Sequence, residues 1–223
     1  MTGLITQWSY STWQTYNQCP KKVYYKKVLK LKEPESPQML RGTRMHKIAE
    51  DFVSGRTEAL FDQYGNDLEL FRTALTNLRK QKPQCELEWG FTETWQPCRF
   101  DDPKAWLRLK TDVLLQPKPY CATVIDHKTG KIYPDHEQQL RLYALCAFLM
   151  LPHVIEVTVQ DWYFDQDATS RPKIFMREEL AALKVEWEEK SFPLLHDDIF
   201  PCRPGPLCRY CHFRKSNNGP CEF

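Results

Sequence analysis

The sequence predicts an α/β fold in which a central mixed β-sheet is flanked by helices. The first observation is element order, because helical segments come first, three extended segments follow, and a helix, a strand and a helix complete the series. The second is composition, since the extended segments are rich in apolar and β-branched residues. The third is length, because 223 residues suffice for one well-packed domain over 1–223.

The first helix is predicted over residues 8–30. Ser9 or Ser11 can cap its start, because a side-chain oxygen accepts a hydrogen bond from an unpaired N–H group of the first turn. Pro20 is expected to break or kink this helix, since proline lacks an N–H group and clashes with the preceding turn. A linker over 33–38 separates it from the next helix.

The later elements lead to a tail that is rich in cysteine, proline and glycine. This tail begins at residue 198 and shows little regular structure. The predicted elements before it are, in chain order, a helix over 39–54 ended by Gly55, a helix over 66–81, strands over 86–95, 105–116 and 121–128 with a turn at 117–119, a helix over 135–150, a strand over 153–164 and a helix over 177–192.

The cysteine content sets an expectation about compartment and metal binding. Nine cysteines are many for this length, and the odd number argues against a simple disulfide framework. The chain shows no signal-peptide pattern and no apolar run near the roughly 18 residues that a membrane helix needs. We therefore expect a cytoplasmic protein without a membrane partner, in which a local cysteine cluster binds metal.

The overall charge does not identify a partner, because the net charge is only +2 and the sequence pI is about 8.0. A nucleic-acid-binding protein with this balance would have to concentrate its positive charge locally. One basic run, interleaved with aromatic residues, does so, and its candidate binding residues are Lys21, Lys22, Lys26 and Lys27. This run is either a solvated helix face or a track for backbone phosphates.

Three residues at the ends of adjacent predicted strands can carry chemistry: Asp112, Asp126 and Lys128. Residues two apart in a strand point to the same face, so Asp126 and Lys128 share one. A hairpin connection would bring Asp112 beside them. Two converging carboxylates suit Mg²⁺, which keeps other positions for water and phosphate oxygen. A nearby ammonium would orient or stabilise an attacking hydroxide. The alternative is that the two aspartates lie on the surface and that the lysine forms a salt bridge with them.

Two helical pairs accompany this triplet. His46 and Glu50 are four residues apart on one helix face. The imidazole can bind a metal ion, and the carboxylate can hydrogen-bond to groups that bind the metal directly. Gln139 and Tyr143 are also four apart and follow the strand of Asp126. Gln139 can position a phosphate or the lysine, and Tyr143 can hydrogen-bond or stack near a substrate. Each pair alone is equally typical of an ordinary amphipathic helix.

Taken together, these motifs resemble the RecB-type branch of the PD-(D/E)xK nucleases. They follow the order of that family, with G-x3-H-x3-E at 42–50, an aspartate at 112, D-x-K at 126–128 and Q-x3-Y at 139–143. The serine-rich start of the first helix, followed by Cys19 and Pro20, is also similar. The resemblance runs from about residue 8 to the C-terminus. It departs just before Asp112, where Lys-Thr stands in place of the glycine that many members have.

The resemblance implies a restriction-endonuclease-like fold and a DNA nuclease that depends on Mg²⁺ or Mn²⁺. It implies a metal ion bound by the side chains of His46, Asp112 and Asp126 and by the backbone carbonyl of His127. Lys128 would be catalytic with these aspartates, supported by Gln139, Tyr143 and Glu50. The group includes small stand-alone exonucleases, some of them phage-encoded, which implies single-stranded or free-ended DNA as substrate in a bacterium or phage-infected cell.

The tail contains a C-x2-C pair, which indicates a metal site. The residues alone are consistent with a zinc site whose ligands are Cys202, Cys208, Cys211 and Cys221. The resemblance to AddB-type nucleases and CRISPR-adaptation exonucleases implies instead a 4Fe–4S cluster, in which Cys19 replaces Cys202 and Cys202 remains the alternative ligand.

Either centre would act as a clasp that holds the N-terminal basic helix, within residues 1–35, against the tail over 198–223. The other cysteines are scattered over predicted strands and a helix, and we expect them to be ordinary buried thiols: Cys85, Cys98, Cys121 and Cys146.

The leading functional hypothesis is a metal-dependent DNA exonuclease that acts in end processing, recombination or repair. The sequence contains no G-x4-G-K-[ST] loop, so any unwinding or strand exchange would come from a helicase or recombinase partner. The alternative is a catalytically inactive nucleic-acid-binding protein that uses the basic helix and the cysteine site. A redox protein is a weaker alternative, because Cys208 and Cys211 do not follow a strand in a βαβ setting.

Overall fold

The computed structural model of the protein describes residues 3–58, 69–132 and 136–223. Within these ranges no helix is both long and apolar enough to cross a bilayer. The helices are α1 (Tyr10–Gln18), α2 (Pro20–Val23), α3 (Pro37–Val53), α4 (Glu69–Lys80), α5 (His136–Met150) and α6 (Leu180–His196), and a π-helical turn (Tyr24–Val28) follows α2. The strands are β1 (Gln84–Phe91), β2 (Pro97–Cys98), β3 (Leu107–Lys118), β4 (Cys121–Lys128), β5 (Glu156–Tyr163), β6 (Ala168–Thr169) and β7 (Lys173–Met176).

The strands form one mixed sheet in the order β2-β1-β3-β4-β5-β6, and β7 also pairs with β5. The neighbours β1, β3 and β4 are antiparallel, whereas β4 and β5 run parallel. A parallel pair needs a crossover connection, and α5 supplies it, because this helix lies between β4 and β5 in the chain and packs on both. The prediction of a central mixed sheet flanked by helices is confirmed.

Alternate residues of β3 and β4 face two different apolar layers. Leu114 and Val124, which pair across the two strands, belong to the layer formed with α1, α5 and α6. Val113 and Ile125 pair next to them and belong to the layer formed with α3 and α4. The end of β4 therefore lies between two buried layers, so consecutive residues there reach different helices.

The first predicted helix is divided into three pieces. Cys19 has an extended backbone with φ −160°, and Pro20 occupies the first position of α2, where its missing N–H group costs nothing. The expected break at Pro20 is therefore confirmed. Of the two candidate caps, Ser9 is the one that starts α1, since its side-chain oxygen accepts a hydrogen bond from Thr12 N at 3.3 Å.

Two predicted boundaries were wrong near prolines. The linker predicted over 33–38 ends early, because Ser36 caps α3 by accepting a hydrogen bond from Met39 N at 3.2 Å and Pro37 becomes its first residue. The turn predicted over 117–119 falls later, since β3 continues through Pro117 to Lys118. The pairing of β3 and β4 shifts register between Leu115 and Lys118, which accommodates a residue that cannot donate to the ladder.

The remaining predicted elements differ mainly at their ends. The strands predicted over 86–95 and 153–164 correspond to β1 and β5, and the helix predicted over 177–192 begins as a 3₁₀ turn and continues to His196. The short strands β2, β6 and β7 were not predicted, because two to four residues give little periodic signal. Residues 66–68 and 135, at the starts of two predicted helices, lie outside the described residues.

The N-terminal segment and the C-terminal tail lie against each other. The Tyr25 hydroxyl donates a hydrogen bond to Pro220 O at 3.2 Å, and its ring centroid lies 5.3 Å from that of Phe213. Arg203 donates to Asn17 O at 2.8 Å. In the described tail, the only helical pieces are 3₁₀ turns over Pro206–Tyr210 and Lys215–Asn217, so these contacts hold a segment with little structure of its own.

Candidate active site

Asp112 lies where β3 and β4 separate. The pairing of these antiparallel strands stops at Val113 and Ile125, one residue short of Asp112 and Asp126. Beyond that point the Asp112 side chain takes the place of a backbone carbonyl of the neighbouring strand. Its Oδ2 accepts a hydrogen bond from the backbone N–H of His127 at 2.6 Å. The hairpin needed to bring Asp112 to the end of β4 is therefore present.

A ring of polar contacts encloses Lys128. Its Nζ lies 2.5 Å from Asp126 Oδ2 and donates a hydrogen bond to Gln139 Oε1 at 2.5 Å. Gln139 Nε2 donates to the Tyr143 hydroxyl at 3.0 Å, and that hydroxyl contacts Asp126 Oδ1. The strand spacing of two and the helix spacing of four thus bring together all four of these predicted site residues.

The charges in this ring follow from burial and from the surrounding carboxylates. Burial favours a neutral amine, but Asp126, Asp161 and Asp112 together raise the pKa of Lys128 above its ordinary value. Lys128 is therefore an ammonium at neutral pH, suited to stabilise negative charge rather than to accept a proton. Burial, Asp126 and Asp112 raise the pKa of Tyr143 well above its ordinary value, so Tyr143 is a neutral phenol.

On the other side of Asp112 lies a group that can hold a metal ion. His46 Nδ1, from α3, lies 3.2 Å from Asp112 Oδ1. The ligand atoms of His46, Asp112 and Glu86 all lie within 4.8 Å of one another. Carboxylate oxygens with one imidazole form a donor set that suits a divalent cation such as Mg²⁺ or Mn²⁺. Asp126 is not a member of this three-residue group.

Glu86 was missed by the sequence analysis. The pairs Cys85–Val113 and Leu87–Thr111 on either side place Glu86 opposite Asp112 across β1 and β3. Its backbone has φ +52°, a left-handed conformation that is strained for a residue with a side chain. Burial and the negative charge of Asp112 raise the pKa of Glu86. Only the strand register distinguishes Glu86 from other acidic residues in the sequence.

The Glu50 carboxylate and the His127 imidazole also contact residues outside this centre. Glu50 contacts Arg56 and lies 3.2 Å from Lys47, so among the described residues its carboxylate is bonded to solvent-facing cations. The His127 imidazole is on the opposite face of β4 from Lys128, and its ring centroid lies 5.9 Å from that of Trp162, 5.0 Å from that of Phe164 and 6.0 Å from that of His46. Burial lowers the pKa of this imidazole to about 4, so it is neutral.

Residues 7–216 match the family model of the PD-(D/E)XK nuclease superfamily. The chain belongs to this superfamily. A solved structure from Eubacterium rectale, named as a candidate exonuclease, is similar at a TM-score of 0.51 and 9% identity, over 96% of this chain and 87% of that one. An alkaline exonuclease from Laribacter hongkongensis has a TM-score of 0.43 and 12% identity, over 85% of this chain and 88% of that one. At these identities the likeness shows the fold alone. Among curated proteins, none matches the sequence.

The four basic residues predicted to bind nucleic acid differ in their surroundings. Glu33 neutralises two of them, since its carboxylate lies 2.8 Å from Lys22 and 2.9 Å from Lys26. Lys21 lies over the ring of Tyr24, with its Nζ 5.0 Å from the centroid. Lys27 alone among the four lines the pocket that contains Lys128.

Five cysteines line one cavity of about 420 Å³ between the N-terminal segment and the tail, namely Cys19, Cys202, Cys208, Cys211 and Cys221. The sulfur atoms of Cys202 and Cys221 are 3.6 Å apart. All the cysteines are free thiols. Of the four expected to be buried elsewhere, only Cys146 is fully buried, whereas Cys85, Cys98 and Cys121 are half-buried.

Asp161 is a second acidic residue that the sequence analysis missed. It pairs with Asp126 across the parallel strands β4 and β5 and is only 1% exposed. The Tyr163 hydroxyl donates a hydrogen bond to its Oδ2 at 3.1 Å, while Oδ1 has no hydrogen-bond partner among the described residues. Burial and the charge of Asp126 raise the pKa of Asp161 to about 6.

This raised pKa predicts how stability depends on pH. Because folded Asp161 binds its proton more tightly than an exposed aspartate, wild type loses stability relative to a neutral isostere as pH rises from about 4 to above 6. We expect Asp161→Asn to gain in free energy of unfolding, relative to wild type, between pH 4.5 and pH 7.5. Urea unfolding in EDTA, followed by circular dichroism, measures this difference.

The matched control for this experiment is Asp198→Asn, which removes an exposed carboxylate. Its stability relative to wild type should stay constant over the same range. An Asp161→Asn difference that does not grow with pH would mean that Asp161 is not an unfavourable buried charge at neutral pH.

Proposed function

We propose that this chain is a divalent-metal-dependent deoxyribonuclease that acts as an exonuclease, with residues 1–223 working as one domain. The observation that carries this proposal is the closed ring around Lys128 beside the group of His46, Glu86 and Asp112. A buried ammonium lies next to converging carboxylates, and these groups can stabilise developing charge and hold a metal ion during phosphodiester hydrolysis. Membership of a nuclease superfamily supports the same reaction class.

In this proposal a Mg²⁺ or Mn²⁺ ion is held by His46, Asp112, Asp126 and the His127 carbonyl, with Glu86 as an added ligand. This donor set fits such an ion, because hard oxygen donors predominate. When bound, the ion lowers the pKa of a water ligand and neutralises charge that develops on the phosphate. The protein's own part is to position the positive charge of Lys128 for the oxygen atoms of the reacting phosphate.

Gln139 and Tyr143 act on Lys128 and Asp126 rather than on the substrate. Gln139 accepts from Lys128 and donates to Tyr143, so the amide fixes both ends of the ring. Because Tyr143 is a neutral phenol, it can donate to the Asp126 carboxylate and hold it in one orientation. A lysine fixed in this way needs little reorganisation when charge develops near it.

Exonuclease action on single-stranded or free-ended DNA is the finer part of the proposal. The Eubacterium rectale neighbour carries the name of a candidate exonuclease, which supports it. We place this activity in DNA end processing, recombination or repair in the cytoplasm of a bacterium or phage-infected cell. A helicase or recombinase partner would open duplex DNA, since the chain has no nucleotide-binding G-x4-G-K-[ST] loop.

The first test removes the charge at the centre of the ring. We expect Lys128→Ala and Asp126→Ala to lower DNA cleavage in Mg²⁺ or Mn²⁺ by on the order of 10²-fold or more, because a preorganised charge or a metal ligand is lost.

Linear and circular single-stranded DNA serve as substrates, and an exonuclease should degrade only the linear form. The control is Lys118→Gln, an exposed lysine near the distal end of β3. Undiminished cleavage by Lys128→Ala would contradict the assigned centre, and loss of circular DNA would contradict exonuclease action.

The second test concerns Glu86. We expect Glu86→Gln to raise the Mg²⁺ or Mn²⁺ concentration for half-maximal cleavage by about tenfold or more, because it removes a charged ligand and keeps the side-chain shape. The control is Glu88→Gln on the same strand, whose carboxylate lies 2.5 Å from Lys110. An unchanged metal requirement in Glu86→Gln would remove Glu86 from the ligand set.

We further propose that the cysteine-lined cavity holds a 4Fe–4S cluster, with ligands Cys19, Cys208, Cys211 and Cys221. Zinc–sulfur bonds of about 2.3 Å would draw four thiolates to within about 4 Å of one another. Among the described residues, no three cysteine sulfurs lie within 4.8 Å of one another. The cavity of about 420 Å³ has room for a cluster, whereas the 3.6 Å separation of the Cys202 and Cys221 sulfur atoms is the spacing that a zinc ion would require. Zinc bound with Cys202 remains the alternative.

Metal analysis distinguishes the two centres. We expect anaerobically purified protein to be brown and to contain about four iron atoms per chain, as a 4Fe–4S cluster requires. Cys19→Ser should lose colour, iron and thermal stability, whereas Cys146→Ser, a buried thiol far along the chain, should keep the iron. Colourless protein that contains only zinc, with unchanged stability in Cys19→Ser, would exclude the proposed ligand set.

A further inference from the structure

A pocket of about 550 Å³ opens between the start of α1, strand β3 and the ring around Lys128. At its inner end are Lys128, Gln139 and Tyr143. Further out, the pocket is lined by Lys27 and Arg108, neither of which takes part in the ring. The pocket is therefore continuous from the proposed reaction centre to a second set of positive charges.

Lys27 and Arg108 differ from their basic neighbours because neither forms an ion pair with any residue in 3–58, 69–132 or 136–223. Lys26 pairs with Glu33 at 2.9 Å and Lys110 pairs with Glu88 at 2.5 Å. Partial burial, together with the positive charges of Lys26 and Arg108, lowers the pKa of Lys27. Two neighbouring cations that form no ion pair repel each other, and a bound anion would relieve that repulsion, although the negative charge of Asp101 also lies within electrostatic reach of Arg108.

The position of Arg108 is fixed by its surroundings. Its backbone N–H donates a hydrogen bond to Trp8 O at 2.9 Å, which ties β3 to the start of α1. Its guanidinium carbon lies 5.3 Å from the ring centroid of Phe100. Nevertheless its Nε is buried and has no hydrogen-bond partner among the residues that the structure describes. The buried Nε is not itself open to the pocket, but Arg108 lines the pocket and forms no ion pair, so its guanidinium can bind an oxygen ligand there.

We propose that Lys27 and Arg108 form a phosphate subsite that binds the DNA backbone next to the phosphodiester held at Lys128. This inference rests on the proposed nuclease function for the identity of its ligand. Single-stranded DNA carries a phosphate at every nucleotide. When one phosphate lies at Lys128, the neighbouring phosphate of the same DNA strand therefore lies further along the same pocket. Arginine can donate two hydrogen bonds to one phosphate and lysine adds a point charge, so the subsite binds any sequence.

The experiment measures binding and cleavage separately. Fluorescence anisotropy of a labelled single-stranded oligonucleotide, in EDTA at several salt concentrations, reports binding without hydrolysis. We expect Arg108→Gln and Lys27→Gln each to weaken binding about tenfold at low salt. This is the size of effect expected when one hydrogen bond to a charged group is lost. Each should also reduce the slope of log K against log salt by about 0.7, the value for one phosphate on a single strand. In cleavage assays KM should rise while kcat is largely kept.

Lys118→Gln is the matched control, because it makes the same change of charge at an exposed position towards the other end of the strand that carries Arg108. It should bind as wild type. Wild-type affinity and salt slope in both Arg108→Gln and Lys27→Gln would overturn the subsite, even if the protein cleaves DNA. Conversely, a protein that binds through these residues but cleaves no DNA would overturn the proposed function and leave the subsite standing.

Inorganic phosphate and dAMP, added as competitors, distinguish a polynucleotide from a small anion as the ligand. We expect neither to displace the oligonucleotide at submillimolar concentration, because a single phosphate fills only part of the pocket. Displacement at that concentration, lost in Arg108→Gln, would identify a small-anion site and overturn the assignment to the DNA backbone.

Discussion

The separation of β3 and β4 beyond Val113 and Ile125 is the constraint on which the rest of the site depends. Two paired strands would satisfy each other's backbone groups and leave no space between them. Because pairing stops there, the His127 N–H turns to the Asp112 carboxylate, which is thereby fixed between the strands. The next residues of β4 then alternate, so that Asp126 and Lys128 reach α5 while the His127 ring enters the opposite layer.

Local spacing made much of this site predictable. A strand period of two joins Asp126 to Lys128, a helix period of four joins Gln139 to Tyr143, and a hairpin needs few residues to return Asp112 to the same place. The central sheet could be predicted for the same reason, since its long strands carry a periodic signal. The ends of these elements could not, because Ser36 and Pro117 act through a single cap or a local shift of register.

Contacts between distant segments account for what the sequence did not reveal. Glu86 reaches Asp112 only through the register of β1 on β3, and Asp161 reaches Asp126 only through a parallel pair that α5 makes possible. Nothing in their own neighbourhoods in the chain distinguishes them from ordinary acidic residues. The basic helix gives the converse case, because Glu33 lies just beyond it and folds back on Lys22 and Lys26. Charge counted along a segment therefore leaves out ion pairs that form only on folding.

The two ends of the pocket differ in charge. Four carboxylates, those of Glu86, Asp112, Asp126 and Asp161, surround two basic groups, Lys128 and His46, so this end has an excess of negative charge that repels phosphate until a cation is bound. The outer part of the pocket has the opposite character, because Lys27 and Arg108 form no ion pair in the part of the chain that the structure describes. Under the proposed function, we expect a polyanion to be attracted first to the outer residues and to reach Lys128 only when metal compensates the carboxylates. Substrate binding and metal binding are thus expected to favour each other, because each reduces the electrostatic cost that the other would meet alone.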